Sequence, residues 1–355
     1  MSSFKRGLRE RNPLVLVAAA ALLVPVLLGL EHFFVSGSWS GVPMKYWMRK
    51  ASDDYTYVSW TVGKTRRTPP SLPAIYLLGG STAREAITSG AGLSRQIKLD
   101  GGPDSVAWDL GSINQNFAQS LVVADNVPAD DAWVLVGINL GRFTPDRGSS
   151  FKQAEGREFL LKSRFLQRYV AERYGRYRFT TTILPGIFGY LTSYIQQHDQ
   201  DLLLGRIPSR EYGQHRYNTK SAHTVKQKER MVKTWNARRY PVFKRNLSFN
   251  LAMLEQLLVR ARQRGVHVVF VELPNNRALI GERFDYAIDQ YREPVDALAA
   301  RYDVPYLDFN AGLQLKNEDF HDLSHLNESG RVLWQRALAK QLARLMTAAE
   351  AGSSR

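Results

Sequence analysis

Five short, almost wholly apolar segments recur along the chain, and each runs into a glycine or small polar residue. They are Ala74–Gly80, Ser105–Gly111, Asp131–Asn139, Val266–Pro274 and the weaker Pro305–Phe309. A strand apolar on both sides must be covered on both faces. Helical patterns lie between them, over Ala83–Lys98, Gln115–Asp125, Leu247–Arg264 and Arg283–Arg301. Gly265 is a stop signal for the third, and Pro294 is expected to split or kink the fourth. Asn327 is expected to cap a last helix to about Thr347, with Val332, Leu333, Leu338 and Leu342 facing inward. This alternation predicts an α/β fold: a flavodoxin-like, doubly wound, five-stranded parallel sheet with right-handed crossovers.

The N-terminus adds a different element. Lys5, Arg6, Arg9 and Arg11 precede the uncharged run Pro13–Leu30. A run of that length spans a bilayer core, and its basic flank is expected to stay in the cytoplasm. The expectation is a basic tail over 1–12, a single transmembrane anchor over 13–35, and an extracytoplasmic domain held at a bacterial inner membrane. The competing reading is a cleaved signal peptide. Against it, the run exceeds a usual signal core and no convincing small-x-small cleavage site follows. Residues 36–73, with SGSWSG and TRRTPPSLP, read as a linker, 74–350 as the domain and 351–355 as a tail.

Residues 142–245 break the alternation and read as an insertion, too long for a plain crossover. The segment holds 22 Lys and Arg against 8 Asp and Glu, nearly all of the chain's net charge of +15. It contains a basic amphipathic stretch over 159–179 and an apolar, aromatic one over 183–195. Basic residues interleaved with aromatics suit anionic lipid, a membrane partner or an acidic glycan, and suit equally a solvated surface. Nucleic acid is not an expected partner, because the domain lies across the membrane from it. With no cysteines, thiolate chemistry and disulfides are excluded.

A doubly wound sheet carries its site at the carboxyl ends of its strands. There stand Gly79-Gly80-Ser81-Thr82, then Gly111, Ser112 and Asn114, then Asn139, and finally the loop Asp319–His325. This is the inventory of an acyl-transfer site. Ser81, opening a helix after a glycine turn, is the candidate nucleophile. His325 is the base, and Asp322, three residues earlier, the orienter. The Ser81 amide, a backbone amide near Gly111 or Asn114, and the Asn139 side chain are the candidate oxyanion donors. Such chemistry needs no cofactor. Asp319, His321, Asp322 and His325 read alternatively as metal ligands, but no second cluster stands out to complete a site. Arg84 and Glu85 read as a structural pair. Pro274-Asn275-Asn276-Arg277 reads as a turn or as a contact to sugar or acyl donor.

The order Gly-x-Ser, Gly, Gly-x-Asn and a C-terminal Asp-x-x-His resembles the SGNH (GDSL-like) hydrolase superfamily over roughly Ala74–Leu345, the insertion apart. Gly80 stands where that family usually has Asp, and Leu140 where it usually has a second acid. With the anchor, the chain is similar to the D-alanyl transfer protein of teichoic-acid operons and to alginate O-acetylation proteins. The resemblance implies an acyltransferase or esterase acting on a cell-surface or secreted glycan beside a membrane-bound O-acyltransferase. It also admits a non-catalytic SGNH-fold subunit that recruits such an acyltransferase.

Overall fold

The computed structural model describes residues 13–154, 159–175, 183–310 and 312–353. In chain order its principal elements are α1 (Pro13–Val35), α2 (Asp54–Arg67), β1 (Ala74–Leu78), α3 (Ser81–Arg84), α4 (Gly90–Leu99), β2 (Val106–Asp109), α5 (Phe117–Asn126) and β3 (Ala132–Ile138). The insertion follows with α6 (Arg147–Ala154), α7 (Arg164–Tyr174), α8 (Leu184–Gln197), α9 (Asp199–Leu203) and α10 (Val225–Thr234). The chain then completes α11 (Tyr240–Arg264), β4 (His267–Glu272), α12 (Arg277–Ile280), α13 (Asp285–Tyr302), β5 (Tyr306–Leu307) and α14 (Glu328–Ser353).

All five strands are parallel, in the order β2-β1-β3-β4-β5. That is the flavodoxin-like α/β order expected from the alternation. Successive side chains of β1 serve opposite faces. Ala74, Tyr76 and Leu78 pack with α2, α5, α11 and α13 residues, whereas Ile75 and Leu77 pack with α4 and α14 residues.

Several local expectations are corrected. Ala83–Lys98 is two helices, because Ser89 accepts the Gly92 amide and caps α4 afresh. At the same break Gly90 lies so close to β2 that a Cβ would stand 2.0 Å from the Ala107 carbonyl. α11 starts at Tyr240, earlier than expected, and is joined to α10 by a π turn over Trp235–Arg239. Gly265 ends α11 in the left-handed region, while Pro294 sits inside α13 without ending it. In α14 the inward stripe is Trp334, Leu338, Leu342 and Met346, and Val332 and Leu333 are exposed.

Residues 36–73, expected as a linker, are built into the domain. Two short 3-10 turns lead to α2, whose Val58 and Val62 are fully buried against the sheet. The helix also buries Thr56, Ser59, Thr61 and Thr65, so its inner face carries no apolar stripe in the sequence. The insertion is likewise continuous with the main core. Phe151, Phe159, Leu166 and Val170 join the cluster that covers the sheet. Of the basic stretch 159–179, helix covers Arg164–Tyr174, and 176–179 lie outside the described residues, as do the tail 1–12 and residues 354–355.

Val17–Val35 of α1 is long and apolar enough for a membrane span or a signal sequence, and is almost wholly exposed. Its last turn is not. Phe34 is buried with Trp39 and, from α8, Ile187 and Tyr190, and Glu31 accepts the Ile183 amide.

Candidate active site

β1 runs straight into the site. After Leu78 the chain turns through Gly79 and Gly80, and Ser81 opens α3. The Ser81 amide has no protein acceptor among the described residues and points out of a helix start, where negative charge is favoured. Ser81 Oγ lies 2.8 Å from His325 Nε2. His325 Nδ1 in turn donates to Asp322 Oδ2 at 2.7 Å. Asp322 Oδ1 accepts the Ser324 and His325 amides, both at 2.9 Å. Three residues drawn from opposite ends of the chain thus stand in one hydrogen-bonded series, with His325 and Asp322 both largely buried. Burial alone would raise the Asp322 carboxyl. The His325 ring and the two amides overcome it and hold that carboxyl well below the usual carboxylate range.

The loop that carries the pair is braced from three sides. His321 N donates to His325 O at 2.8 Å, closing the loop on itself. Asn276, fully buried after β4, donates to Asp322 O and to Asn317 Oδ1, and its amide donates to Leu323 O. Lys228 of α10 is buried and gives its ammonium to Asn317 O, Asn317 Oδ1 and Phe320 O. The Pro274–Arg277 segment therefore supports the loop through Asn276. Asp319 is taken up by the Lys316 amide and the Ser329 hydroxyl. His321 packs its ring on Tyr217 and His223. Among the described residues no group of three or more His, Asp or Glu is placed to hold a metal ion.

The oxyanion candidates divide. Asn139 follows β3, the strand paired with β1, and β1 leads through Gly79 and Gly80 to Ser81. Asn139 Oδ1 accepts the Arg142 amide at 3.2 Å, which leaves its NH2 as the group able to donate. Gly111 is corrected: its amide already donates to Asp109 Oδ1 at 2.9 Å. Glycine is needed there for packing, since a Cβ would stand 2.5 Å from the Arg84 nitrogen. The next two amides are also occupied, Ser112 by Gly79 O and Ile113 by Asp54 Oδ2. Asn114, left-handed at φ +53° and exposed, has no hydrogen-bond partner among the described residues. Among the described residues, the candidate donors left uncommitted are therefore the Ser81 amide, the Asn139 NH2 and Asn114.

Arg84 and Glu85 are structural, as expected, but in a wider network. Arg84 Nη1 meets Asp54 Oδ2 at 2.6 Å, and Glu85 meets Arg331 Nη1 at 2.8 Å. The coil Tyr212–Tyr217 of the insertion closes this network, and sequence reasoning missed it entirely. Tyr212 and Arg216 bind Asp54, Gln214 binds Asp109, and His215 stands 3.3 Å from Glu85. Tyr217 lies on the His325 ring, centroids 4.4 Å apart. Irregular coil has no periodicity to read. The only signal was the density of Arg, His and Tyr.

No family model and no curated protein matches the chain. Among solved structures, the chain is similar to a catalytic mutant of Axe2, an acetylxylan esterase from Geobacillus stearothermophilus, at 9% identity and a TM-score of 0.38, over 75% of this chain and 92% of that one. The unmutated Axe2 matches at 8% identity with the same score and coverage. Protein YxiM from Bacillus subtilis matches at 10% identity and a TM-score of 0.33, over 77% of this chain and 56% of that one. These likenesses are too distant to carry an assignment, which rests on the geometry above.

Proposed function

We propose that the chain is an extracytoplasmic serine-dependent O-acyltransferase or esterase of SGNH type, acting on a cell-surface or secreted glycan. The observation that carries this reading is the unbroken series from Ser81 Oγ through His325 to Asp322 at the carboxyl edge of the sheet. Ser81 Oγ attacks the ester carbonyl as His325 Nε2 takes its proton, and Asp322 stabilises the imidazolium. The tetrahedral oxyanion faces the Ser81 amide and the Asn139 NH2. Collapse expels the alcohol, which recovers the proton from His325 and leaves acyl-Ser81. Water or a sugar hydroxyl then attacks, giving hydrolysis or transfer.

Retention of the N-terminal helix as an anchor is supported by its last turn, which is packed into the domain at Glu31 and Phe34. A glycan partner at the insertion is supported by an open groove of about 820 Å³, where Arg147 lies over the Tyr174 ring beside Tyr169, Arg173 and Phe249. Arginines, the carboxylates of Asp146 and Glu255, and aromatic rings together suit the hydroxyls and ring faces of a saccharide.

The test is exposure of the full chain in detergent to a serine-directed fluorophosphonate probe and to a chromogenic acetyl ester, beside Ser81→Ala. Labelling and turnover by wild type alone support the enzyme. Absence of both, with binding to a membrane-bound O-acyltransferase retained, supports the recruiting-subunit reading instead.

A further inference from the structure

We infer that the coil Tyr212–Tyr217 is a fixed wall of the reaction site and that Tyr217 is a positioning residue for His325. This deepens the acyl-transfer reading and rests on it. The coil belongs to the insertion, far in sequence from Ser81 and from His325. Every one of its residues is tied to the rest of the domain. Tyr212 stacks on Tyr57 at 4.1 Å and donates to Asp54, and the Gly213 amide donates to Ala51 O. Gln214 donates to Asp109 Oδ2 at 2.7 Å, and His215 Nε2 meets Thr88 O at 2.9 Å. Arg216 makes two bonds to Asp54 and gives its amide to Glu85. The Tyr217 carbonyl accepts Arg331 Nη1 at 3.1 Å.

The acids receiving these bonds are buried. Asp54, Glu85 and Asp109 are each no more than 2% exposed. Buried carboxylates need cations and donors, and Arg216, Gln214 and Tyr212 supply part of that need. Lifting the coil would take hydrogen-bond donors from three buried acids at once, so it is held as wall and not as lid.

Arg216 and the Tyr217 carbonyl fix the backbone that carries the Tyr217 ring. It is wedged between His325 and His321, with centroids 4.4 and 4.5 Å away. The ring blocks rotation of the imidazole away from Ser81. The ring, tilted by 42° to the imidazole, also lies beside the group that becomes cationic when the serine proton moves. The hydroxyl has no protein partner among the described residues, so the ring and not the OH carries the role.

The experiment measures inactivation of the full chain by the fluorophosphonate probe, separating the maximal rate from the half-saturating concentration. Tyr217→Phe is expected within about threefold of wild type. Tyr217→Leu is expected to cut the maximal rate by about 5–30-fold, the worth of a lost aromatic–cation contact, with half-saturation and melting temperature little changed. A wild-type rate for Tyr217→Leu, or a Tyr217→Phe as slow as Tyr217→Leu, overturns the inference. Failure of the enzyme reading is distinguishable, because wild type itself would then not label. The packing is in that case read from the His325 Cε1–H resonance, assigned with His325→Gln. A ring-current shift kept in Tyr217→Phe and lost in Tyr217→Leu supports the contact, and identical spectra overturn it.

Discussion

Asp322 holds His325 from two directions: its Oδ2 takes the ring Nδ1–H at 2.7 Å and its Oδ1 takes the same residue's backbone amide at 2.9 Å. The carboxylate therefore sets both where the ring sits and which nitrogen carries the proton. Asp322→Asn keeps the shape but offers an NH2 to a nitrogen that must donate, which favours the wrong tautomer. Activity is expected to fall by roughly 10³–10⁴-fold, read as the rate of probe labelling beside an unchanged far-UV spectrum.

The same bonds give Asp322 a pH signature. Its folded-state pKa lies below the unfolded value, so its contribution to stability is present above about pH 4 and is lost as the pH falls through the depressed value. Urea midpoints of wild type and Asp322→Asn should differ most at neutral pH and converge in acid. A gap that stays constant down to the acid limit would contradict this assignment.

Asp109 carries the opposite sign. Burial is the largest influence on its carboxyl and pushes it up to about 7, against the lowering effect of the Gly111 amide and its neighbours. A folded-state value above the unfolded one means stability present below about pH 4 and lost as the pH rises through about 7. Asp109→Asn, with the Gln214 amide turned to offer its oxygen, should lose less stability than wild type between pH 5 and 8. The measurement is the urea midpoint at the two pH values.

On the proposed mechanism Asn139 has two roles, cap of the Arg142 amide and oxyanion donor, that substitution can separate. Asn139→Asp keeps the oxygen that caps the Arg142 amide but loses the donor, so activity should drop about 10²–10³-fold at near-wild-type stability. Asn139→Ala loses the cap as well, at a further cost of about 1 kcal/mol. Steady-state ester hydrolysis and thermal melts resolve the pair.

Lys228 is expected to matter through the loop it caps. Lys228→Met leaves the Asn317 and Phe320 carbonyls without their buried donor. Unfolding free energy should fall by on the order of 3 kcal/mol, measured by urea titration, and labelling at Ser81 should slow as the loop loosens.

Much of this architecture was legible in the chain. Short two-sided apolar runs gave away the parallel sheet, and the three-residue spacing of Asp322 and His325 fits the tight turn that joins them. What stayed hidden shares one physical cause, dependence on non-periodic polar contacts. α2 buries Thr and Ser where a helix reader looks for Leu. Gly111 looked like an oxyanion donor because nothing in the sequence says that Asp109, two residues earlier, already holds its amide. The wall at Tyr212–Tyr217 is coil whose order comes from bonds to residues more than 100 positions away.

That wall couples the fates of distant positions. The buried acid at 54 shares its charge between guanidinium groups from 84 and 216, and the carboxamide at 214 has little purpose without the carboxyl at 109. Relatives that trim the insertion should therefore also shed the acids beneath it. Paired loss of these positions would mark the members that reshaped this wall, even where the serine, histidine and aspartate blocks read alike.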